Sequence, residues 1–197
     1  MNYVALDFET ANEYAGGACS VALARFDEEG TLLESYYSLI RPKNPYFDPS
    51  MSAVHQLDSA ECLASGEFDT IWPDMVRFIG RDIVVAHNAA FDMGVLKASL
   101  EAYDLQCDGI SYLCTLVIAR KVWPKMLSYK LSYIVDSLEL EYRAHYALDD
   151  AIMCGKIFAK LCRGQLNDLL TLRRFLIHHG IEVKTIDHQR RGGDLFL

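Results

Sequence analysis

The pattern of hydrophobic and polar residues divides the chain into an opening part rich in strands and a later part rich in helices. Apolar runs bounded by turn residues predict strands at residues 2–8, 19–26 and 31–40. Residues 27–30 (Asp-Glu-Glu-Gly) supply a turn between the second strand and the third. Because these strands follow one another with short connections, we expect an antiparallel meander.

The later part alternates between the two kinds of element. Three prolines within residues 42–49 indicate a long irregular loop, and the apolar run Ile83–Ala86 predicts a fourth strand. Helical spacing of apolar residues predicts helices near residues 71–79, 91–102, 116–122, 131–138, 147–162 and 166–178. Strands followed by alternating helices and strands predict an α/β domain with a mixed central sheet.

Composition sets the domain count and the compartment. The 197 residues, 51% of them hydrophobic, can form one core, so we predict a domain over residues 1–163 and a helical appendage with a tail over residues 164–197. No apolar run approaches a membrane span, and residues 1–4 carry no basic leader. Six scattered cysteines without CxxC spacing favour free thiols in a reducing compartment. We expect a cytoplasmic protein without a membrane partner.

The net charge limits the ways in which the chain could bind nucleic acid. A formal charge of −8 argues against tight, extended binding to a duplex, because phosphate-binding proteins usually carry a basic surface. Carboxylates that bind divalent cations would account for part of this charge. An enzyme that holds only the end of a strand needs no long basic track.

Acidic residues occur at positions that otherwise belong to the interior. Asp7 and Glu9 lie two residues apart at the end of the first predicted strand, so both side chains project from one face. Buried carboxylates that repel one another are costly unless a cation compensates them. The alternative is that the strand ends at Asp7 and that Glu9 lies in solvent; this pair alone does not decide between the two.

Two further acids begin predicted helices. Asp92 precedes apolar residues at helical spacing and directly follows the fourth strand, near the strand end where α/β sheets bind ligands; a simple interaction with the helix dipole is the alternative. Asp150 lies on the apolar stripe of residues 150–161, whereas Asp149 points about 100° away, toward solvent. His145 can approach Asp150 only from the loop before that helix, and a surface histidine is the alternative.

Together these residues indicate a metal site. Asp7, Glu9, Asp92 and Asp150 offer hard oxygen ligands, which suit Mg²⁺ or Mn²⁺ better than zinc. Four acids with one nearby histidine match the requirements of two-metal phosphodiester hydrolysis.

Three motifs resemble those of the DEDDh exonucleases, the DnaQ-like group that includes the proofreading subunit of bacterial replicative DNA polymerase, ribonuclease T and oligoribonuclease. They are residues 7–10 (Asp-Phe-Glu-Thr), residues 87–92 (His-Asn-Ala-Ala-Phe-Asp) and residues 145–150, in which His145, Ala147 and Asp150 match. Weaker similarities lie at residues 54–57, 114–116 and 129–131, so the resemblance covers residues 1 to about 162. One departure is Gln56, which stands where the family commonly has glycine.

The resemblance implies a ribonuclease H-like fold, an α/β fold whose five-stranded mixed sheet is flanked by helices. It implies a 3′→5′ exonuclease in which the four acids hold two Mg²⁺ or Mn²⁺ ions, His145 accepts the proton of the attacking water, and nucleoside 5′-monophosphates are released. It also implies that the terminal nucleotide is contacted by Phe8, Thr10, His55, Leu57, Asn88 and Phe91.

Several alternatives remain open on the sequence. Phe91 could be a core aromatic, and His55 a plain loop histidine. Stacking aromatics favour a single-stranded 3′ end, and we expect DNA rather than RNA, although no residue can be assigned to a 2′-hydroxyl. Competing functions are a non-catalytic adaptor, which would have no need of the acids, and a metal phosphohydrolase acting on dinucleotides.

The tail suggests a partner. Arginines and lysines at residues 173–174, 184 and 190–191 make it more basic than the domain. Residues 193–197 (Gly-Asp-Leu-Phe-Leu) faintly resemble peptides that bind the bacterial sliding clamp, so the clamp or DNA polymerase III is a candidate partner. A solvated basic face and a tail folded back on its own domain are the alternatives.

Overall fold

The opening strands form the predicted antiparallel meander. The structure is a computed structural model that describes residues 1–141 and 143–188. Strands β1 (Tyr3–Thr10), β2 (Ala18–Phe26) and β3 (Leu32–Leu39) pair in the order β3-β2-β1. Strand β1 continues to Thr10, so Asp7 and Glu9 both belong to it. The alternative in which β1 ends at Asp7 is therefore wrong.

Three more strands extend the sheet beyond β1. Strands β4 (Ile83–Ala86) and β5 (Cys107–Cys114) add in parallel, and β6 (Lys184–His188) pairs antiparallel with β5. Over residues 1–141 and 143–188 the mixed sheet has six strands in the order β3-β2-β1-β4-β5-β6, so the prediction of five was one too few. Strand β6 escaped prediction because Ile186 is its only buried residue, and its backbone is held by pairing with β5.

Eight helices lie in the described part of the chain. They are α1 (Pro49–His55), α2 (Ser59–Ala64), α3 (Phe68–Ile79), α4 (Ala90–Ala102), α5 (Thr115–Val122), α6 (Leu131–Ser137), α7 (Ala147–Leu161) and α8 (Leu169–His178). Helices α1 and α2 lie between the predicted loop and the helix predicted near residues 71–79, where no element was predicted. Asp48 and Asp58 cap them by accepting backbone N–H groups, and Pro49 takes the first helical position, where proline is favourable.

Two hydrophobic layers cover the faces of the sheet. Val4, Leu6 and Phe8 pack toward α3 and α4, whereas Tyr3 and Ala5 pack toward α7 on the other face. Helix α7 lies so close to the sheet that a Cβ at Gly155 would come within 2.1 Å of the Phe26 ring. This close packing places the first turn of α7 beside the end of β1.

The C-terminal residues in the described range join the same core. Leu172 and Leu176 of α8 and the following Ile181 are buried in the layer that contains α7. The domain boundary at residue 163 stays a prediction, and the clamp-like residues 193–197 lie outside the described residues. Of the helices in the described ranges, none combines the length and the apolar character needed to cross a bilayer.

The turn after α1 gives a physical meaning to the one departure from the family resemblance, at residue 56. Gln56 has φ 55° and ψ 24°, a left-handed conformation, and its N–H donates to the carbonyl of Ser52. Residues with a Cβ adopt this conformation at a cost of roughly 1–2 kcal/mol, whereas glycine adopts it without that cost.

We expect Gln56→Gly to stabilise the fold. Glycine relieves the strain of the left-handed conformation, and this gain exceeds the free-energy cost of the greater chain entropy that glycine gives the unfolded state. The free energy of unfolding should therefore rise by about 0.5 kcal/mol, or roughly 1–2 °C in Tm. Urea unfolding measures the gain, with Gln56→Asn as an intermediate control because asparagine tolerates the conformation. A less stable glycine variant would show that contacts of the Gln56 side chain outweigh the strain.

Candidate active site

Four acidic side chains come together at one edge of the sheet. Asp7 and Glu9 lie at the carboxyl end of β1, and Asp92 lies in the first turn of α4, directly after β4. Because β1 and β4 are parallel, their carboxyl ends meet at this edge. Asp150, in the first turn of α7, faces the same point from the other layer. We call these four residues the acidic cluster.

Burial and mutual repulsion dominate the electrostatics of the acidic cluster. Burial, followed by the charges of Asp92, Asp150 and Glu9, holds the pKa of Asp7 well above its usual value. Burial and the neighbouring aspartates raise the pKa of Glu9 to about 8. Burial raises the pKa of Asp92 to about 7 and that of Asp150 to about 6, although backbone N–H groups oppose the change at both residues. Without a cation, the cluster therefore retains protons near neutral pH.

The backbone orients two of these carboxylates. Asp92 is 1% exposed, and its Oδ1 accepts the N–H of Phe8 at 3.1 Å. Asp150 Oδ2 accepts the N–H of His145 at 2.9 Å. These bonds tie α4 to β1 and the loop before α7 to its own first turn. The remaining carboxylate oxygens can face a shared ligand.

The donor set fits a hard divalent cation. Ligand atoms of Glu9, His145 and Asp150 all lie within 4.8 Å of one another, close enough to hold one ion. Asp7 and Asp92 interact electrostatically with this group. The carboxylate oxygens suit Mg²⁺ or Mn²⁺, and a bound cation would allow the acids to ionise together.

His145 lies on the loop before α7, as its spacing requires. It is exposed and has φ 60°, a left-handed conformation that is uncommon for a residue with a Cβ. The hydrogen bond that the His145 N–H donates to Asp150 helps to hold this conformation. The imidazole therefore reaches the acidic cluster from the solvent side.

Asp149 has a structural task that was not anticipated from the sequence. The residue was expected to point into solvent, but its Oδ2 accepts the N–H of Arg143 at 3.0 Å. Asp149 is the third residue of α7, where an acid can reach back to the chain before the helix. This position was the available signal. Together with Asp150 it fastens the loop that carries His145.

His87 is a second residue whose position was not anticipated. Its Nδ1 lies 2.9 Å from Thr115 Oγ1, and its Nε2 lies 2.8 Å from the carbonyl oxygen of Tyr129. Burial lowers the pKa of His87, so the ring is neutral near pH 7. Through these two contacts His87 links the end of β4 to α5 and to the loop before α6, so it stabilises the packing of these segments.

Three of the expected substrate residues border open space. Thr10 and Phe91 line a cavity of about 380 Å³ with Met51, which we call the first cavity. Phe91 is 47% exposed, so it is not a core aromatic. Asn88, with φ 62°, borders a separate cavity of about 410 Å³, the second cavity.

The other three expected substrate residues are more enclosed. The Phe8 side chain is 2% exposed and packs in the core near Phe68. His55 is also buried; its Nδ1 accepts the N–H of Leu57 at 3.0 Å, and burial lowers its pKa. Leu57 packs beside the small cluster containing Cys19 and Cys62. Neither His55 nor Leu57 lines the first cavity.

A mixed sheet covered by helices on both faces, with acids at the shared end of β1 and β4, defines a ribonuclease H-like domain. Residues 4–158 match the model of the exonuclease family named RNase T. The chain therefore belongs to this exonuclease family, and its motifs are those of the DEDDh, DnaQ-like group.

Similar proteins and structures agree with this assignment. The chain is 29% identical over 136 residues to DNA polymerase III subunit epsilon of Aquifex aeolicus, covering 68% of this chain and 66% of that protein. It is 27% identical over 161 residues to a PolC-type DNA polymerase III of Thermotoga petrophila, covering 80% of this chain but 12% of the polymerase. The chain thus spans less than two thirds of these relatives.

Solved structures share the fold at low sequence identity. The nuclease domain of 3′hExo, described as a DEDDh family member bound to rAMP, superposes with a TM-score of 0.71 at 11% identity and covers 96% of each chain. Exonuclease I gives a TM-score of 0.71 at 18% identity, covering 90% of this chain and 43% of that one.

Proposed function

We propose that the chain is a metal-dependent 3′→5′ exonuclease that removes nucleotides singly from a strand end and releases nucleoside 5′-monophosphates. The observation that carries this proposal is the convergence of Asp7, Glu9, Asp92 and Asp150 at one sheet edge, with His145 beside Glu9 and Asp150. An adaptor that only binds would gain nothing from such a cluster, because burying repelling acids opposes folding.

The acidic cluster would hold two Mg²⁺ or Mn²⁺ ions. When bound, these ions supply an activated water and stabilise the negative charge on the departing oxygen. Phe8 keeps Asp92 oriented through its N–H, and the His145 N–H does the same for Asp150. A preorganised set of carboxylates avoids reorganisation during the reaction.

His145 would act as the general base. Its ring accepts a proton as the water oxygen bonds to phosphorus, and the bond from phosphorus to the 3′ oxygen of the preceding nucleotide breaks. The released 3′ oxygen takes up a proton, and the phosphate leaves on the 5′ oxygen of the terminal nucleotide. Because the His145 ring is exposed, the proton that it accepts can pass to solvent.

The first cavity would receive the terminal nucleotide. Phe91 is exposed there for stacking, and Thr10 follows the metal-binding end of β1. Phe8, His55, Leu57 and Asn88 would shape the surroundings. Stacking accepts any base, so a single-stranded 3′ end is the expected substrate. The relatives named DNA polymerase III subunit epsilon and PolC-type DNA polymerase III favour DNA as the substrate and a DNA polymerase III as partner. The sliding clamp stays a candidate partner on the sequence of residues 193–197 alone.

A length ladder tests the proposal. Purified protein with Mn²⁺ should shorten 5′-labelled single-stranded DNA from its 3′ end in steps of one nucleotide, and a chelator should stop the reaction. Duplex DNA, RNA and dinucleotides run in parallel rank the substrates. Internal fragments, or cleavage that persists in chelator, would contradict the proposal, and activity on dinucleotides alone would favour a small-substrate phosphohydrolase.

Asp149 should influence turnover through the loop that it fastens. We expect Asp149→Ala to lower kcat about tenfold, because freeing the Arg143 N–H loosens the loop that positions His145. KM should change little. Asp149→Asn keeps an acceptor oxygen and should restore most of kcat. Equal losses in both variants would show that the charge of Asp149, and not its bond to the loop, is what matters.

A further inference from the structure

The second cavity lies beside the start of α4, as the first cavity does. Ala90, at the start of α4, lines both cavities. Asn88 and Ala89 continue the lining of the second, and all three residues belong to the motif that ends with Asp92. Because Ala90 borders both cavities, a strand whose last nucleotide occupies the first cavity can continue into the second.

The remaining walls of the second cavity come from the outer half of the sheet. Strand β5 contributes Tyr112 and Cys114, α5 contributes Arg120, and the segment before and within β6 contributes Glu182 and Lys184. Tyr112 and Lys184 are paired across β5 and β6. Strand β6 thus forms one wall of the second cavity, and this strand follows residue 158, where the family match ends in the sequence.

The charges of the second cavity suit a polyanion. Within residues 1–141 and 143–188, neither Arg120 nor Lys184 forms an ion pair, and the Arg120 guanidinium lies 5.8 Å from the centre of the Tyr129 ring. Glu182 is the acid in the lining, so the wall carries a net charge of +1 in a chain whose total is −8. Two cations around an apolar floor can bind phosphates while riboses and bases cover Tyr112.

We propose that the second cavity binds the nucleic acid strand upstream of the scissile bond, with Arg120 and Lys184 contacting backbone phosphates. This inference rests on the proposed exonuclease function and adds to it a site formed by the C-terminal segment. It makes binding dependent on strand length, because a dinucleotide carries no phosphates that reach this cavity.

Cys114 offers a direct probe of the proposal. It lines the second cavity and is partly exposed, whereas the other five cysteines are buried. Iodoacetamide labelling in chelator, followed by peptide mass spectrometry, should show a single-stranded DNA octamer slowing modification of Cys114 by about tenfold. A nucleoside 5′-monophosphate should leave the rate within about twofold.

Charge removal provides an independent test. The double variant Arg120→Ala/Lys184→Ala should reduce the preference for an octamer over a dinucleotide, measured as the ratio of their kcat/KM values, by roughly tenfold. The loss should lie in KM. The slope of log K against log[salt] for octamer binding should become shallower by about 0.7 for each phosphate that the variant no longer neutralises. The control Lys160→Ala/Arg163→Ala removes the same charges at the far end of α7 and should keep the preference.

The outcomes separate this inference from the function on which it rests. If octamers are shortened normally while Cys114 labels at its free rate, or while both double variants keep the octamer preference, the second cavity does not bind the strand and the exonuclease proposal stands. If the wild type shortens no strand with Mg²⁺ or Mn²⁺, both proposals fail.

Discussion

Asp92→Asn is expected to lower kcat/KM for strand shortening by at least about 10³-fold while making the metal-free protein more stable. The amide cannot supply the charge that a divalent cation requires, and the metal provides several kcal/mol of transition-state stabilisation. The amide oxygen can still accept the Phe8 N–H, so the fold keeps that hydrogen bond. Above about pH 7, where Asp92 ionises, removal of its charge from the buried cluster favours folding.

Activity and unfolding must be measured on the same preparations. Length ladders with Mn²⁺ give the rate, and urea unfolding in chelator gives the stability of wild type, Asp92→Asn and the control Asp136→Asn. Asp136 is exposed on α6, so its loss should affect neither quantity beyond experimental scatter. Asp7→Asn and Asp150→Asn should behave like Asp92→Asn. An active Asp92→Asn would exclude the acidic cluster as the catalytic site.

His145→Ala is expected to lower kcat by 10²- to 10⁴-fold, the usual contribution of a general base. Substrate affinity should change little, because the exposed ring approaches the cluster from the solvent side and lines neither cavity. The backbone N–H that bonds to Asp150 survives the substitution, so Asp150 stays oriented. Single-turnover rates at saturating enzyme measure the chemical step, and fluorescence anisotropy in chelator measures binding.

The position of His145 also allows direct metal binding, since its ring nitrogen lies within 4.8 Å of ligand atoms of Glu9 and Asp150. Metal titrations distinguish the two roles. A general base predicts that His145→Ala binds Mn²⁺ as wild type does, whereas a ligand predicts weaker binding that excess Mn²⁺ compensates with recovered activity. Reduced substrate affinity with unchanged kcat would instead make His145 a binding residue.

The fully buried strand β4 was predictable from the sequence, whereas the partly exposed strands β5 and β6 were not. Strand β4 was predicted at its observed bounds because all four of its residues are buried and apolar. Strand β5 has the sequence Cys-Asp-Gly-Ile-Ser-Tyr-Leu-Cys with only Cys107 and Leu113 buried, so it lacks a clear period. Its backbone is fixed by pairing with β4 and β6, which is a long-range effect that no local pattern contains.

The residues of the candidate site were also predictable only in part. Asp7, Glu9, Asp92 and Asp150 could be found because a carboxylate in an apolar pattern needs an explanation. The convergence of these acids depends on the parallel pairing of β1 with β4 and on the packing of α7, which are long-range features that no local pattern contains. The tasks of His87 and Asp149 depend on individual hydrogen bonds. The second cavity depends on β6, which was not predicted.

The acidic cluster also makes the stability of the metal-free protein depend on pH. Glu9, Asp92 and Asp150 have folded-state pKa values of about 8, 7 and 6, above the value of about 4 expected in the unfolded chain. Because these pKa values are raised, the folded state binds more protons than the unfolded chain between about pH 4 and pH 8. Protonation of the three carboxylates therefore stabilises the fold fully below about pH 4, and this stabilisation is lost as the pH rises to about 8. Bound cations replace those protons and should restore stability.

Thermal unfolding at pH 5 and pH 8, with Mn²⁺ or with chelator, tests most directly whether divalent cations make this acidic cluster tolerable. We predict that Mn²⁺ raises the Tm of the wild type by roughly 5–10 °C at pH 8, equivalent to a few kcal/mol, and by much less at pH 5. Asp92→Asn should lose most of the gain. An equal Tm with and without Mn²⁺ at pH 8, or an equal gain in wild type and Asp92→Asn, would contradict the account.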